Sequence, residues 1–358
     1  MRNMKALILN SGIGSRMGAE HNMKPKCMIE IANNETLLSR QLRQLLDMGI
    51  TDVIVTTGAH SDMLVEYCQS LDLPLQITFV YNPRYMETNY IYSIYCARDV
   101  IRDHDLLMMH GDIVFENGAL EAILQHEESC MAVSTTASLS EKDFKAVLNS
   151  NRVIKVGVSC FEQAIAAQPV YKLRRHDWHL WLDKIASLCE AGDTKIYAED
   201  ALNLVTDKCL IRALDIKGLL CSEVDTPEDL AVVGARLKEI AQRTVYMCFS
   251  TDVLHSGHIN IIKRAARLGR LTIGVLSDEV VASYKRYPLL PCRERKALMR
   301  SISGVYSVIE QTTLSYAENL RRLKPTYVVH GDDWRVGVPA AHKRSGFAGI
   351  GGIRRTFG

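Results

Sequence analysis

Directly after the apolar run Lys5 to Leu9 comes Asn10-Ser11-Gly12-Ile13-Gly14-Ser15-Arg16-Met17-Gly18, and six residues later Lys24-Pro25-Lys26. Glycines remove side chains where backbone N–H groups must approach phosphate oxygens, and Arg16 and Lys26 bring charge that can neutralise a triphosphate. Two acidic stops suit the same chemistry. Leu106 to His110 is an apolar run that ends in Gly111-Asp112, and Glu223-Val224-Asp225 precedes Thr226-Pro227. Magnesium takes one or two carboxylates plus phosphate oxygens, and strand ends at one edge of a sheet can bring Asp112 and Asp225 together. Taken singly, each Asp reads more simply as a cap or turn residue, and the GxG as a tight strand-to-helix turn. A third feature, His255-Ser256-Gly257-His258, follows the apolar run Val245 to Phe249 and opens a helical pattern. Imidazoles backed by free N–H groups at a helix N-terminus can hold phosphate. The dinucleotide fingerprint is excluded, because the third glycine falls at 18 rather than 17, and there is no Walker lysine.

The elements that must position these residues repeat as strand, loop and amphipathic helix. Lys5 to Leu9, Asp52 to Thr57, Gln76 to Val80 and Leu106 to His110 read as strands, with a helix around Leu37 to Met48. That alternation implies a mostly parallel sheet covered on both faces. Residues 134 to 225 are less regular and read as a substrate-binding insertion. Glu228 to Ala241 closes the first domain as a helix, with Pro227 in its first turn. From Thr244 the same architecture restarts, with strands at 244–249, 271–276, 306–309 and 326–330. The expected fold is therefore α/β, two Rossmann-like three-layer domains in tandem, residues 1–241 and 242–338. A tail, 339–358, carries five glycines, four basic residues and no acidic one, and is expected to be irregular.

Composition narrows the class of function. The 358 residues carry 43 Lys and Arg against 41 Asp and Glu, and the resulting charge of +2 gives no broad field for nucleic acid or an anionic membrane. No apolar stretch approaches the roughly 18 residues needed to span a bilayer, and the N-terminal run is too short for a signal-peptide core. Ten cysteines without CxxC or metal spacing suit a reducing compartment, so the cytoplasm is expected.

The whole string GxGxRMG followed by KPK, at the first strand of an α/β domain, resembles the nucleotidyltransferases that include the sugar-phosphate and phosphocholine enzymes, over about residues 4 to 236. The resemblance implies that Asn10, Ser11, Gly12, Gly14, Ser15 and Asn89 line a nucleoside triphosphate site, that Arg16 contacts its phosphates, that Lys26 stabilises charge on the reacting phosphate, and that Asp112 and Asp225 hold Mg2+. Asn82-Pro83-Arg84-Tyr85-Met86-Glu87-Thr88-Asn89 resembles a segment of the compact choline-phosphate and phosphonate cytidylyltransferases, where it lines the base and acceptor pocket. Glu141 to Ala146 and Tyr197 to Asn203 echo that subgroup too, which makes Lys142, Lys145 and Glu199 candidates for the acceptor. Trp178 and Trp181, three apart, are a candidate aromatic wall but read more simply as a core stripe.

The HxGH region resembles the cytidylyltransferase-like domain found ahead of phosphoenolpyruvate phosphomutase, which implies a second nucleotide site at His255, Gly257, His258 and Lys285. The Ser/Thr-rich motif that should follow His330-Gly331-Asp332-Asp333-Trp334 is absent, so binding without turnover is expected there. Together these features imply a CTP-dependent transfer of CMP to a small phosphonate, 2-aminoethylphosphonate first, in phosphonate biosynthesis. Phosphocholine or a sugar 1-phosphate is the alternative acceptor. The second alternative makes the C-terminal part a docking module of a larger fusion; a homo-oligomer is compatible with either reading.

Overall fold

A computed structural model describes residues 4–12, 24–32, 35–250 and 253–330, and the backbone of 354–357. The chain divides into two compact units, Met1–Ala235 and Arg236–Gly358.

In the first unit, β1 (Met4–Leu9) leads through the short hairpin β2 (Glu30–Ala32) and β3 (Glu35–Thr36) to α1 (Leu37–Asp47), whose first turn is closed by a reciprocal Thr36–Ser39 capping box. Then come β4 (Asp52–Thr57), α2 (Ser61–Ser70), β5 (Gln76–Tyr81), α3 (Tyr90–Ile101) and β6 (Asp105–His110). β5, β4, β1 and β6 lie side by side and parallel, with Ala6 opposite Val53 and Leu107. All four strands fall where the apolar runs place them. Buried on both faces, their side chains feed two cores: Leu7, Ile54 and Met108 on one side, Ala6, Ile8, Val53 and Met109 on the other.

The region expected to be irregular continues that sheet. After β7 (Ile113–Phe115) and α4 (Asn117–Gln125), the strands β8 (Cys130–Ser134), β9 (Lys145–Asn149), β10 (Arg152–Gly157) and β11 (Ala164–Leu173) extend it to nine, with β12 (Arg212–Asp215) among them. β11 runs antiparallel between β6 and β8, so the sheet is mixed. Pro169 lies where the β11–β8 register shifts between Ala167 and Tyr171, the place at which a central strand tolerates proline. The helices of this half are α5 (Arg175–Ala191) and α6 (Ala198–Asn203); β13 (Cys221–Glu223) follows, and α7 (Pro227–Gln242) begins in this unit and ends in the next.

The second unit is a five-stranded parallel sheet. β14 (Thr244–Phe249), α8 (Ser256–Ala266), β15 (Arg270–Leu276), α9 (Asp278–Ala282), α10 (Cys292–Arg300), β16 (Val305–Gln311), α11 (Ala317–Leu323) and β17 (Tyr327–His330) follow the sequence pattern, with order β16-β15-β14-β17. The tail corrects the expectation of irregularity. Its residues Arg354–Phe357 form β18, parallel to β17, because the backbone of β17 still has an open edge to pair. No helix among the described residues is long and apolar enough to cross a membrane.

Trp178 and Trp181 belong to the core, both fully buried on α5. Trp181 donates its indole N–H to the Ala198 carbonyl at 2.7 Å and packs edge-on against Tyr171 at 5.4 Å, tying α5 to the start of α6. Trp181→Phe keeps most of the ring and strands that carbonyl, so the variant should lose about 1–3 kcal/mol, read as a lowered urea midpoint with an unchanged slope. A midpoint equal to that of the parent would show the hydrogen bond to be dispensable.

Candidate active site

β6 leaves the sheet at His110 and turns through Gly111-Asp112 into β7. A Cβ on Gly111 would lie 1.5 Å from Asn10 Oδ1, so only glycine lets the turn pass this close to the loop after β1. β7 pairs antiparallel with β13, Ile113 opposite Glu223, and Val224 N donates to the Asp112 carbonyl at 2.9 Å. That short ladder brings Asp112 and Asp225 together although they are far apart in the chain. Buried side chains brace it. On α1, Gln41 Nε2 donates to the carbonyls of His110 and Ile113, both at 2.9 Å, and Gln44 Nε2 to Phe115 O at 3.0 Å. Glu116 Oε1 accepts from Leu220 N at 2.7 Å. Two polar positions of α1, Gln41 and Gln44, thus face the site rather than solvent, which the sequence pattern did not reveal.

Lys26 lies between the two carboxylates. Its Nζ is 2.6 Å from Asp112 Oδ2 and 2.5 Å from Asp225 Oδ1, on a 3-10 turn opened by Pro25. Burial by itself would lower the Lys26 pKa, but Asp112 and then Asp225 outweigh it and hold the ammonium charged above the ordinary value. One ammonium leaves two carboxylates with a net negative charge, and Asp112 Oδ1 is buried without a hydrogen-bond partner among the described residues. An unpartnered buried carboxylate oxygen is costly, so this site is suited to a divalent cation. The residues fit the expected Mg2+, with Asp112 and Asp225 as its oxygen donors.

Two neighbours were missed from the sequence. His110 Nδ1 and Glu223 Oε1 meet at 3.1 Å, and with Asp112 they place three potential ligand atoms within 4.8 Å of one another. Burial would lower the His110 pKa, yet the hydrogen bond and charge of Glu223 raise it; burial and then the Asp112 and Asp225 charges raise that of Glu223. Each lies two residues before an assigned aspartate, at the last position of its strand.

A cavity of about 180 Å3 runs from Asp112 and His110 past Ser11 and Gly12 to Asn82, Tyr85, Asn89 and Tyr90. Asn10 N donates to Thr56 Oγ1 at 3.0 Å, and Ser11 Oγ and Ser93 Oγ lie 2.5 Å apart, so the described start of the glycine loop is fixed to β4 and α3. Asn89 caps α3. Gly14, Ser15 and Arg16 lie outside the described residues.

The acceptor candidates separate. Glu199 is almost fully buried and accepts from the hydroxyls of Tyr90 and, at 2.7 Å, Tyr171; it reaches the cavity through Tyr90. Both tyrosines are pushed well above the ordinary value by burial and by Glu199. Tyr90 also meets His110 edge-on at 4.6 Å and Tyr197 at 6.0 Å, and Phe144 meets Tyr197 at 5.2 Å, so an aromatic group stands beside the carboxylate. Lys142 pairs with Asp229 at 2.6 Å, and Asp229 in turn accepts from the backbone N–H groups of Asp225 and Thr226. Lys145 donates to the carbonyls of Asp143 and Val158 and lies over the Phe161 ring.

In the second unit His255 caps α8, accepting from Gly257 N at 3.1 Å, and its ring lies 3.9 Å from that of His258. Lys285 Nζ reaches Ser250 Oγ, just past β14, at 3.4 Å.

Comparison with known proteins agrees with both halves. Residues 6–155 match the MobA-like NTP transferase domain and residues 248–349 the cytidylyltransferase-like family. Each half of the chain is thus similar to a nucleotidyltransferase-type domain, the first to the MobA-like kind and the second to the cytidylyltransferase-like kind. Among curated relatives, CTP:phosphoglutamine cytidylyltransferase of Campylobacter jejuni is 27% identical over 160 residues, 43% of this chain and 62% of that protein. The CMP-5'-(3-aminopropyl)phosphonate synthase of Streptomyces rubellomurinus is 29% identical over 126 residues, 35% of this chain and 20% of that protein. The inositol-1-phosphate CTP transferase of T. maritima superposes with a TM-score of 0.55 at 21% identity, covering 66% of this chain and 96% of that structure, which establishes the shared α/β fold.

Proposed function

We propose that the first domain transfers CMP from CTP to a small phosphonate, 2-aminoethylphosphonate first, releasing pyrophosphate, with Mg2+ as cofactor, and that it does so in phosphonate biosynthesis in the cytoplasm. The observation that carries this reading is the Lys26–Asp112–Asp225 cluster at one end of a cavity whose other wall is the Asn82 to Tyr90 segment. The names of the curated relatives, two enzymes of CMP transfer to a phosphorylated compound or a phosphonate, support the nucleotide and the acceptor class.

An acceptor oxygen attacks the α-phosphorus of CTP, a new P–O–P bond forms, the α–β bridging bond breaks, and its electron pair leaves with pyrophosphate. Bound Mg2+ would neutralise triphosphate oxygens and help align the α-phosphate. Asp112 and Asp225 would hold it. Lys26 offsets charge that grows in the transition state, Asn10, Ser11, Gly12, Gly14, Ser15 and Asn89 enclose the nucleotide, and Arg16 pairs with its phosphates. Of the two lysines expected to attract the acceptor's phosphonyl group, Lys142 is partly exposed and keeps that role, whereas Lys145 is buried on backbone carbonyls and does not. Tyr90 and Tyr197 offer ring faces to its ammonium, while Glu199 behind Tyr90 adds the opposing charge. In the second domain, His255, Gly257, His258 and Lys285 hold a nucleotide phosphate without turnover. Phosphocholine or a sugar 1-phosphate is the second reading of the acceptor. Pyrophosphate release from four nucleoside triphosphates, each paired with 2-aminoethylphosphonate, phosphocholine and glucose 1-phosphate, decides among them; release with no pairing would remove the reading.

Asp112→Ala and Asp225→Ala should each lower metal-dependent turnover by at least ~10²-fold while circular dichroism stays unchanged, and near-parental rates in either would sink the metal assignment. Glu199→Gln should raise the KM for 2-aminoethylphosphonate severalfold and barely move that of an amine-free acceptor. An equal loss on both acceptors would assign Glu199 to structure alone. The double change His255→Ala with His258→Ala should leave the rate within about twofold, far from the ~10²-fold loss that follows removal of a proton donor. If that variant loses most activity while Asp112→Ala keeps it, the chemistry belongs to the second domain.

A further inference from the structure

We propose that the Lys26 ammonium is a resident counter-ion for the Asp112–Asp225 pair, one that excludes the divalent cation until a triphosphate draws it away. The inference rests on the metal assignment above and adds an order of events to it. The positions are decisive: Nζ sits 2.6 Å from one carboxylate and 2.5 Å from the other, so a divalent cation held by both would meet the ammonium there. Two like charges cannot share that place, since at such separations their repulsion amounts to several kcal/mol even at the effective dielectric constant of a protein surface, ~20.

Lys26 reaches the pair along a four-carbon stem from a short turn, whereas each aspartate carries its carboxylate on a single carbon. The backbone on either side of Asp112 is fixed by the β7–β13 ladder and by Gln41, which bonds the carbonyls of His110 and Ile113, and the backbone of Asp225 is fixed by Asp229. The ammonium is therefore the part that moves. A triphosphate offers it oxygens of greater charge than either aspartate, so nucleotide arrival releases the carboxylates for the metal. By reciprocity, whatever factor the nucleotide adds to metal affinity the metal adds to nucleotide affinity. One lysine then serves twice, first as a guard of the empty site and afterwards as the cation on the reacting phosphate.

The test uses Mn2+ alone, followed by electron paramagnetic resonance, on the full chain without nucleotide. Lys26→Met should bind Mn2+ at least ~10-fold more tightly than the parent, because a positive charge has left the two carboxylates. Lys26→Arg, which keeps the charge, should stay within about twofold of the parent. The gain of Lys26→Met should vanish when Asp225→Asn is added, and circular dichroism checks that each variant is folded. Equal Mn2+ affinity in the parent and Lys26→Met would overturn the counter-ion role while leaving the metal site standing. No Mn2+ binding by either chain, with or without CTP, would remove both.

Discussion

An ammonium group held between two carboxylates from distant parts of the chain is the contact on which the first domain's site depends. Neither aspartate could sit so near the other without a cation between them, since two like charges in a half-buried place would push one another apart or take up a proton. Lys26 resolves that conflict in the absence of metal. The surrounding structure exists to hold the conflict in place: β13 paired to β7, Val224 bonded to the Asp112 carbonyl, and Glu116 bonded to Leu220 on the far side of the ladder. Gln41 and Gln44 reach from α1 to the carbonyls of the same turn. Each of these is a buried polar group that must be satisfied, so each also fixes a direction that an apolar contact would leave free.

The same logic extends to the acceptor side of the cavity. Glu199 is a buried carboxylate with two tyrosine hydroxyls on it, and its position is set from behind by the hydrogen bond from Trp181 to Ala198. So enclosed a carboxyl group is tolerated because each of its oxygens accepts a tyrosine hydroxyl, and it meets the cavity through Tyr90 rather than by direct exposure. Specificity at such a site comes from what would be left unpaired when the wrong molecule enters, more than from any single attractive contact.

Much of this was legible in the sequence, and the parts that were not share a cause. The parallel strands of both units stand out because strands buried on two faces are continuous apolar runs; Asp112 stands out because it follows such a run, and Asp225 because it is an acidic stop before a helix. The antiparallel half did not, since β11 contains Pro169 and is interrupted by a register shift, so its pattern resembles a loop. Strand β18 was missed for a different reason: its existence follows from the open edge of β17, not from any periodicity of its own. In the site, Lys26 was recognised by its motif. His110, Glu223, Tyr90 and the glutamines of α1 were not, because their importance lies in distances that only the fold creates.

The two domains meet phosphate chemistry from opposite electrostatic starting points. The first gathers two carboxylates around one lysine, a site whose acidic groups outnumber its cation. At the second candidate site the groups are imidazoles and a lysine beside a helix N-terminus, with His255 already engaged by the Gly257 N–H. The one cluster with metal-ligand geometry among the described residues lies in the first domain. A site of the first kind is gated by its counter-ion and has its charge reversed by what binds. A site of the second kind is already complementary to an anion, through the helix dipole and the backbone, and needs no such exchange. On the proposed reading, therefore, a change to Lys26 alters metal binding in the first domain, because the two carboxylates it holds are the same ones the cation would use.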